Sequence, residues 1–110
     1  MIIDDFILWL EAERRYSPLT VRNYRRDVCD FVAFCGATPN DFNPRSITRE
    51  DVEEWMVSLA DERKLKVTTV NRTMASLRTF WHWMLAHKHV DKDIVKTLRQ
   101  YKPPKRLPPF

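Results

Sequence analysis

Apolar residues recur along the chain at spacings of three and four, the period of a helix with one buried face. Ile3, Phe6, Ile7 and Leu10 form the first such stripe, with Asp4, Asp5, Glu11 and Glu13 on the outside, and the pattern breaks near Tyr16. A second helix has a clear start. Ser17 is placed to cap it, Pro18 suits a first helical position, and Val21, Tyr24, Val28, Phe31 and Cys35 form its stripe up to Gly36, the expected C-terminal cap. The Asn, Asp and Pro content of "ATPNDFNPRS" then predicts a loop. Thr48 and Asp51 have the spacing of a capping box. Val52, Trp55, Met56 and Leu59 make the inner face of the third helix they open, and Glu50, Asp51, Glu53 and Glu54 its outer face. After the basic connection "ERKLK", a fourth helix carries Val70, Met74, Leu77, Trp81 and Met84 at helical spacing. A short fifth helix is expected to start at Asp91 or Asp93 and to bury Ile94, Val95 and Leu98. In the final "YKPPKRLPPF" four prolines forbid a helix and favour an extended strap, which reads as a linker cut short.

Composition agrees with an all-helical reading. A chain of 110 residues that is 44% hydrophobic can build one modest core and no second domain. It holds one glycine, and its seven prolines collect at element boundaries and near the end, too little turn chemistry for a sheet. Apolar runs such as "FILWL" are short, and "MIIDDF" carries acids where a signal peptide carries bases, so neither a membrane nor export is expected. Cys29 and Cys35, six apart on one helix, should lie about 9 Å apart along its axis, too far for a disulfide. They read as free thiols of a cytoplasmic protein.

Charge gives this helical chain a direction. The net charge of +4 is only moderately basic, but the signs are sorted. Ile2 to Glu13 and Thr48 to Glu62 are acidic, Arg14 to Arg26 and Arg63 to Lys88 are basic, and no carboxylate occurs from Arg63 to Val90. A solvated helix usually mixes both signs, so one-sided charge points to a negative partner.

Projection at about 100° per residue puts Arg22, Asn23 and Arg26 opposite the core of the second helix, beside Leu19 and Cys29. On the fourth helix Thr68, Arg72, Ala75 and Thr79 lie opposite the core, flanked by Ser76 on one side and by Asn71 and Arg78 on the other. Neither face shows an acid until Asp30. Arg forks suit phosphate oxygens or guanine, Asn suits adenine, and small residues let a helix approach a nucleic-acid groove closely. The amides at both helix N-termini suit phosphates as well.

Enzymatic chemistry is not visible. There is no Gly-rich phosphate loop, no H-E-x-x-H and no nucleophile motif, and the acids of the third helix read as a solvated face. His82, His87 and His89 lack the spacing that would place two imidazoles on one helical face, so neither a metal nor another cofactor is expected.

Two segments carry a family resemblance. "S-P-x-T-x-x-x-Y-x-x-D" at Ser17 to Asp27 and "N-R-T-M-A-S-L-R-T-F-W" at Asn71 to Trp81, with "P-K-R-L-P" at the end, resemble the N-terminal core-binding domain of tyrosine recombinases of the Xer and phage integrase types. The likeness covers nearly the whole chain. It implies an all-α, orthogonal SAM-like bundle of four to five helices that clamps one face of duplex DNA, with two helices toward the major groove. Residues 1–101 would then be the core-binding domain, and 102–110 the start of a proline-rich linker to a catalytic domain. The catalytic tyrosine and its partners belong to that second domain, so this part should bind and not cut, with no small-molecule substrate. Neighbouring protomers in a tetrameric synaptic complex would be its other partners. Many relatives have Asn-Pro before the last short helix where this chain has "DKDI", which leaves the start of the fifth helix open.

Carried onto this chain, the resemblance makes Thr20, Arg22, Asn23 and Arg26 on the second helix candidates for DNA contact, with Thr69, Asn71, Arg72, Ser76 and Arg78 on the fourth. Lys64 and Lys66, and Lys102, Lys105 and Arg106 in the strap, are candidates for phosphate contact. Two other readings make different demands. A protein-interaction module would expose Trp9, Trp55 or Trp83, and a stand-alone helix-turn-helix regulator would need a tight turn where this chain has the twelve residues from Gly36 to Ile47.

Overall fold

In the computed structural model, which describes residues 2–38, 40–96 and 98, the stripes become helices α1 (Ile2–Ala12), α2 (Pro18–Phe34), α3 (Arg49–Val57) and α4 (Val67–Ala86). No strand occurs among the described residues. The start signals act as expected. Ser17 Oγ accepts from Thr20 N at 3.3 Å, with Pro18 in the first turn of α2. At α3 the capping box closes in both directions: Asp51 Oδ2 accepts from Thr48 N at 2.9 Å, and Thr48 Oγ1 from Asp51 N at 3.2 Å. Gly36 follows α2 with φ +78°, a conformation open to glycine without steric cost.

The helices are held by one aromatic-rich core. Phe6 of α1 packs its ring 4.9 Å from Phe80 and 5.4 Å from Trp83 of α4, and Phe31 of α2 lies 5.9 Å from Trp81. α1 rests on α2, and α2 on α4. α4 is the central element, so its buried arc is wider than one stripe: Thr73, Ser76, Phe80 and Trp83 are interior along with the five stripe residues. Trp55 and Trp83 are only 4% and 3% exposed and Trp9 is half-buried, so the exposed tryptophan demanded by an interaction module is not found at these positions.

Three features differ from the sequence reading. First, α3 does not stop at its last α turn but runs on through a π-helical segment, Ser58–Glu62, in which Arg63 N reaches back to Ser58 O at 3.0 Å. Second, no fifth helix forms over residues 91–96. Asp93 Oδ1 accepts from Val95 N and Lys96 N at 3.1 and 3.0 Å, the bonds an N-cap residue makes, and the body of a helix starting there falls on Thr97, Arg99 and Gln100, outside the described residues. Val95 and Leu98 are buried as expected, while Ile94 is half-buried against the core. Third, Lys64 and Lys88, beyond the ends of the π segment and α4, have left-handed backbones with φ 51° and 62°.

Cys29 and Cys35 are free and half-buried, and burial pushes the Cys35 thiol up to about 11 and that of Cys29 upward as well. No described helix is long and apolar enough to cross a membrane. Among the described residues no group of His, Cys, Asp or Glu is arranged to hold a metal ion.

Candidate nucleic-acid interface

The seam between α2 and α4 gathers the basic residues that the sequence separates. Arg26 from α2 and Thr69 and Arg72 from α4 line one groove with Asp27, Asp30 and Arg63. Arg63 arrives there because the π segment precedes it, and it lies 3.7 Å from Asp30 and 6.0 Å from the centre of the Trp55 ring. π-helical turns are rare and often carry functional residues. Arg26, Arg63 and Arg72 are each about half exposed, so their heads face solvent while the groove fixes their stems.

Beneath the arginines lies a carboxylate. Asp27 is only 3% exposed; its Oδ2 accepts from Ser76 Oγ at 2.7 Å, its Oδ1 lies 3.6 Å from Arg26 Nη2, and its Oδ2 lies 3.8 Å from Arg72 Nη1. Burying a carboxylate is costly unless it is paired and hydrogen-bonded, and Asp27 is both. Projection of single helices shows no acid on these faces before Asp30. Asp27 leaves that reading standing, because it is interior, covered by Ser76, a neighbour 49 positions away.

The remaining candidates divide. Ser76 is corrected: at 5% exposure, with its hydroxyl given to Asp27, it belongs to the interior and has no surface to offer DNA. For the same reason an acid at this position, unlike one at the exposed Ala75, would force a second carboxylate against Asp27. Arg78 is half-buried and donates to the Leu98 carbonyl at 3.3 Å, which makes it a tie to the C-terminal segment. Arg22 is exposed but lines a separate hollow between α1 and α2 with Glu11 and Arg25. Thr20 is half-buried at the start of α2, its hydroxyl 2.9 Å from Ser17 Oγ, and Asn23 and Asn71 are half-buried. Lys64 and Lys66 are exposed before α4, where Lys66 is the N-cap residue and makes no side-chain capping bond. Lys102, Lys105 and Arg106 lie outside the described residues.

Sequence reasoning overlooked two residues of the groove. Arg63 stands first in the acid-free run, and Asp27 closes the "S-P-x-T-x-x-x-Y-x-x-D" pattern, so each had a signal. Glu50, Glu53, Glu54 and Glu62 surround Phe34 and Val57 in a different hollow, which adjoins the arginine groove through Ser58 and Glu62, the chain neighbours of Leu59 and Arg63.

Comparison with known proteins places this architecture. Residues 3–88 match the family described as the phage integrase N-terminal SAM-like domain. The tyrosine recombinase XerD of Listeria monocytogenes is 30% identical over 107 residues, which take in 97% of this chain and 36% of that protein. The tyrosine recombinase XerC of Pediococcus pentosaceus is 31% identical over 109 residues, 99% of this chain and 36% of that protein. The chain thus spans about a third of the length of the curated relatives it matches. Among solved structures, the integrase from mycobacterium phage Brujita shares the fold with a TM-score of 0.76 at 19% identity, over 98% of this chain and 34% of that one. The order of four helices, the Ser17-capped α2 packed on α4 and the match over residues 3–88 agree with one another, and the chain belongs to the phage integrase N-terminal SAM-like domain family.

Proposed function

We propose that this domain binds duplex DNA through the α2–α4 groove, as the non-catalytic half of a recombinase clamp. The observation that carries the reading is the convergence of Arg26, Arg63 and Arg72, from three parts of the chain, on one groove beside Thr69; Ala75, one turn beyond Arg72 on α4, is exposed. Three half-exposed guanidiniums on one face form a phosphate-binding surface, and the small residues of α4 leave room for close approach. Lys64 and Lys66 extend the basic surface along the backbone of the duplex. Cleavage chemistry belongs to a catalytic domain joined through the strap, whose Lys102, Lys105 and Arg106 meet phosphates. The full protein acts in the cytoplasm and assembles with other protomers into a tetrameric synapse on its DNA sites.

The test is a titration of a fluorescently labelled duplex at several salt concentrations. Affinity should fall steeply, with a log–log slope of roughly −0.9 for each phosphate neutralised. Ala75→Glu should leave the melting temperature nearly unchanged, because the side chain is exposed, and lower affinity at least several-fold by placing a negative charge toward phosphates. Salt-insensitive binding, or full affinity in Ala75→Glu, would remove this face from the interface.

A further inference from the structure

We infer that Asp27 is a positioning residue for DNA binding: the buried carboxylate holds Arg26 of α2 and Arg72 of α4 at a set separation across the groove. The inference rests on the proposed DNA-binding reading and goes beyond it by giving a role to a residue that never touches DNA. A side chain with 3% exposure cannot reach a duplex, and a position needing only to be filled would be better served by an apolar residue. Each carboxylate oxygen faces a different helix's arginine: Oδ1 lies 3.6 Å from Arg26 Nη2, and Oδ2 lies 3.8 Å from Arg72 Nη1. Ser76 fixes the carboxylate itself through its 2.7 Å hydrogen bond to Oδ2.

The distances fit orientation better than sequestration. Charge-assisted N–H···O bonds are typically about 2.7–2.9 Å long, so contacts of 3.6 and 3.8 Å guide the guanidiniums without consuming their donors. Each guanidinium has five N–H groups and faces Asp27 with one nitrogen, which leaves most of its fork for phosphate. Without the carboxylate, two like charges at one seam would repel and sample many rotamers. Holding them in place before DNA arrives removes part of the ordering cost of binding.

The two roles open to Asp27 predict opposite signs. As a mere negative charge near phosphates it would weaken binding, so Asp27→Asn would raise affinity. As a positioning residue it strengthens binding, so Asp27→Asn lowers affinity for a labelled mixed-sequence duplex by about tenfold, or ~1.4 kcal/mol. The loss disappears when Asp27→Asn is placed in an Arg26→Ala/Arg72→Ala background, which a general loss of structure would not allow. Ser76→Ala provides a gentler probe should Asp27→Asn fold poorly. Its hydroxyl is buried, so a several-fold loss of affinity in a protein with unchanged circular dichroism must pass through Asp27. Affinity at or above wild type in both variants, or an undiminished loss in the double-arginine background, overturns the inference. Failure of the wild-type chain to bind duplex, or unchanged binding in Arg26→Ala/Arg72→Ala, overturns the DNA-binding reading itself.

Discussion

Arg26→Ala/Arg72→Ala should bind duplex DNA roughly a hundredfold more weakly than the wild type, since two charge-assisted contacts at about 1.5 kcal/mol each are lost. The salt dependence should also become shallower, by roughly two units of log–log slope. Stability should fall as well, because Asp27 is buried and loses both neighbouring cations, keeping its Ser76 hydrogen bond; the affinity is therefore read at a temperature where the melt shows the variant folded. What the double variant leaves behind also acts against binding: the buried Asp27 carboxylate keeps its Ser76 hydrogen bond but has lost both arginines. The measurement is fluorescence anisotropy across a salt series, with a thermal melt to show that the domain remains folded.

Phe80→Ala should have the largest effect on stability. Phe80 has no exposed surface, and its ring lies 4.9 Å from Phe6, 6.4 Å from Phe42, 5.7 Å from Trp81 and 6.2 Å from Trp83. These partners belong to α1, the loop before α3, and α4, so truncation opens a cavity where three parts of the fold meet. Loss of a buried Phe typically costs about 3–5 kcal/mol, a large share of the 5–15 kcal/mol typical of a whole domain. A melting temperature lower by roughly 15 °C or more is expected for a chain of this size, and scanning calorimetry or a circular dichroism melt measures it. A shift of only a few degrees would mean that the aromatic cluster is not the centre of the core.

Local patterns reveal most of the fold and only part of the site. Ile3, Phe6, Ile7 and Leu10 are all buried, as are all five stripe residues of α4, because a stripe at helical period must face something apolar. Phe80, Trp83 and Ser76 escaped the same reasoning. The stripe of a peripheral helix has a fixed width, but the buried arc of α4 is set by how many neighbours surround it, and no single-helix projection contains that number. Ser76 looked like a flank residue and is interior for this reason. Only the start of the expected fifth helix lies among the described residues, where Asp93 accepts from Val95 N and Lys96 N as a cap residue does.

The candidate site is legible as charge and not as geometry. The absence of carboxylates from Arg63 to Val90 singles out α4 and its approach as one-sided in sequence. The linear chain does not show that Arg63 would meet Arg26 and Arg72, since the π segment after α3 sets its direction. Nor does it show that Arg22, only four residues before Arg26, lines a different hollow toward α1. Asp27 is the clearest case. A lone Asp on a helix reads as a solvated residue, and only the packing of α2 on α4 turns it into a buried carboxylate between two arginines.

The central claim is that DNA lies against the α2–α4 groove, and backbone amide chemical shifts of the isotopically labelled domain, followed during titration with a duplex, test it most directly. The predicted result is a contiguous set of salt-sensitive perturbations at Arg26, Arg63, Thr69, Arg72 and Ala75, with little change at Glu50, Glu53 and Glu54 on the acidic face. Perturbations centred on the acidic hollow around Phe34 and Val57, with the groove residues unmoved, would contradict it.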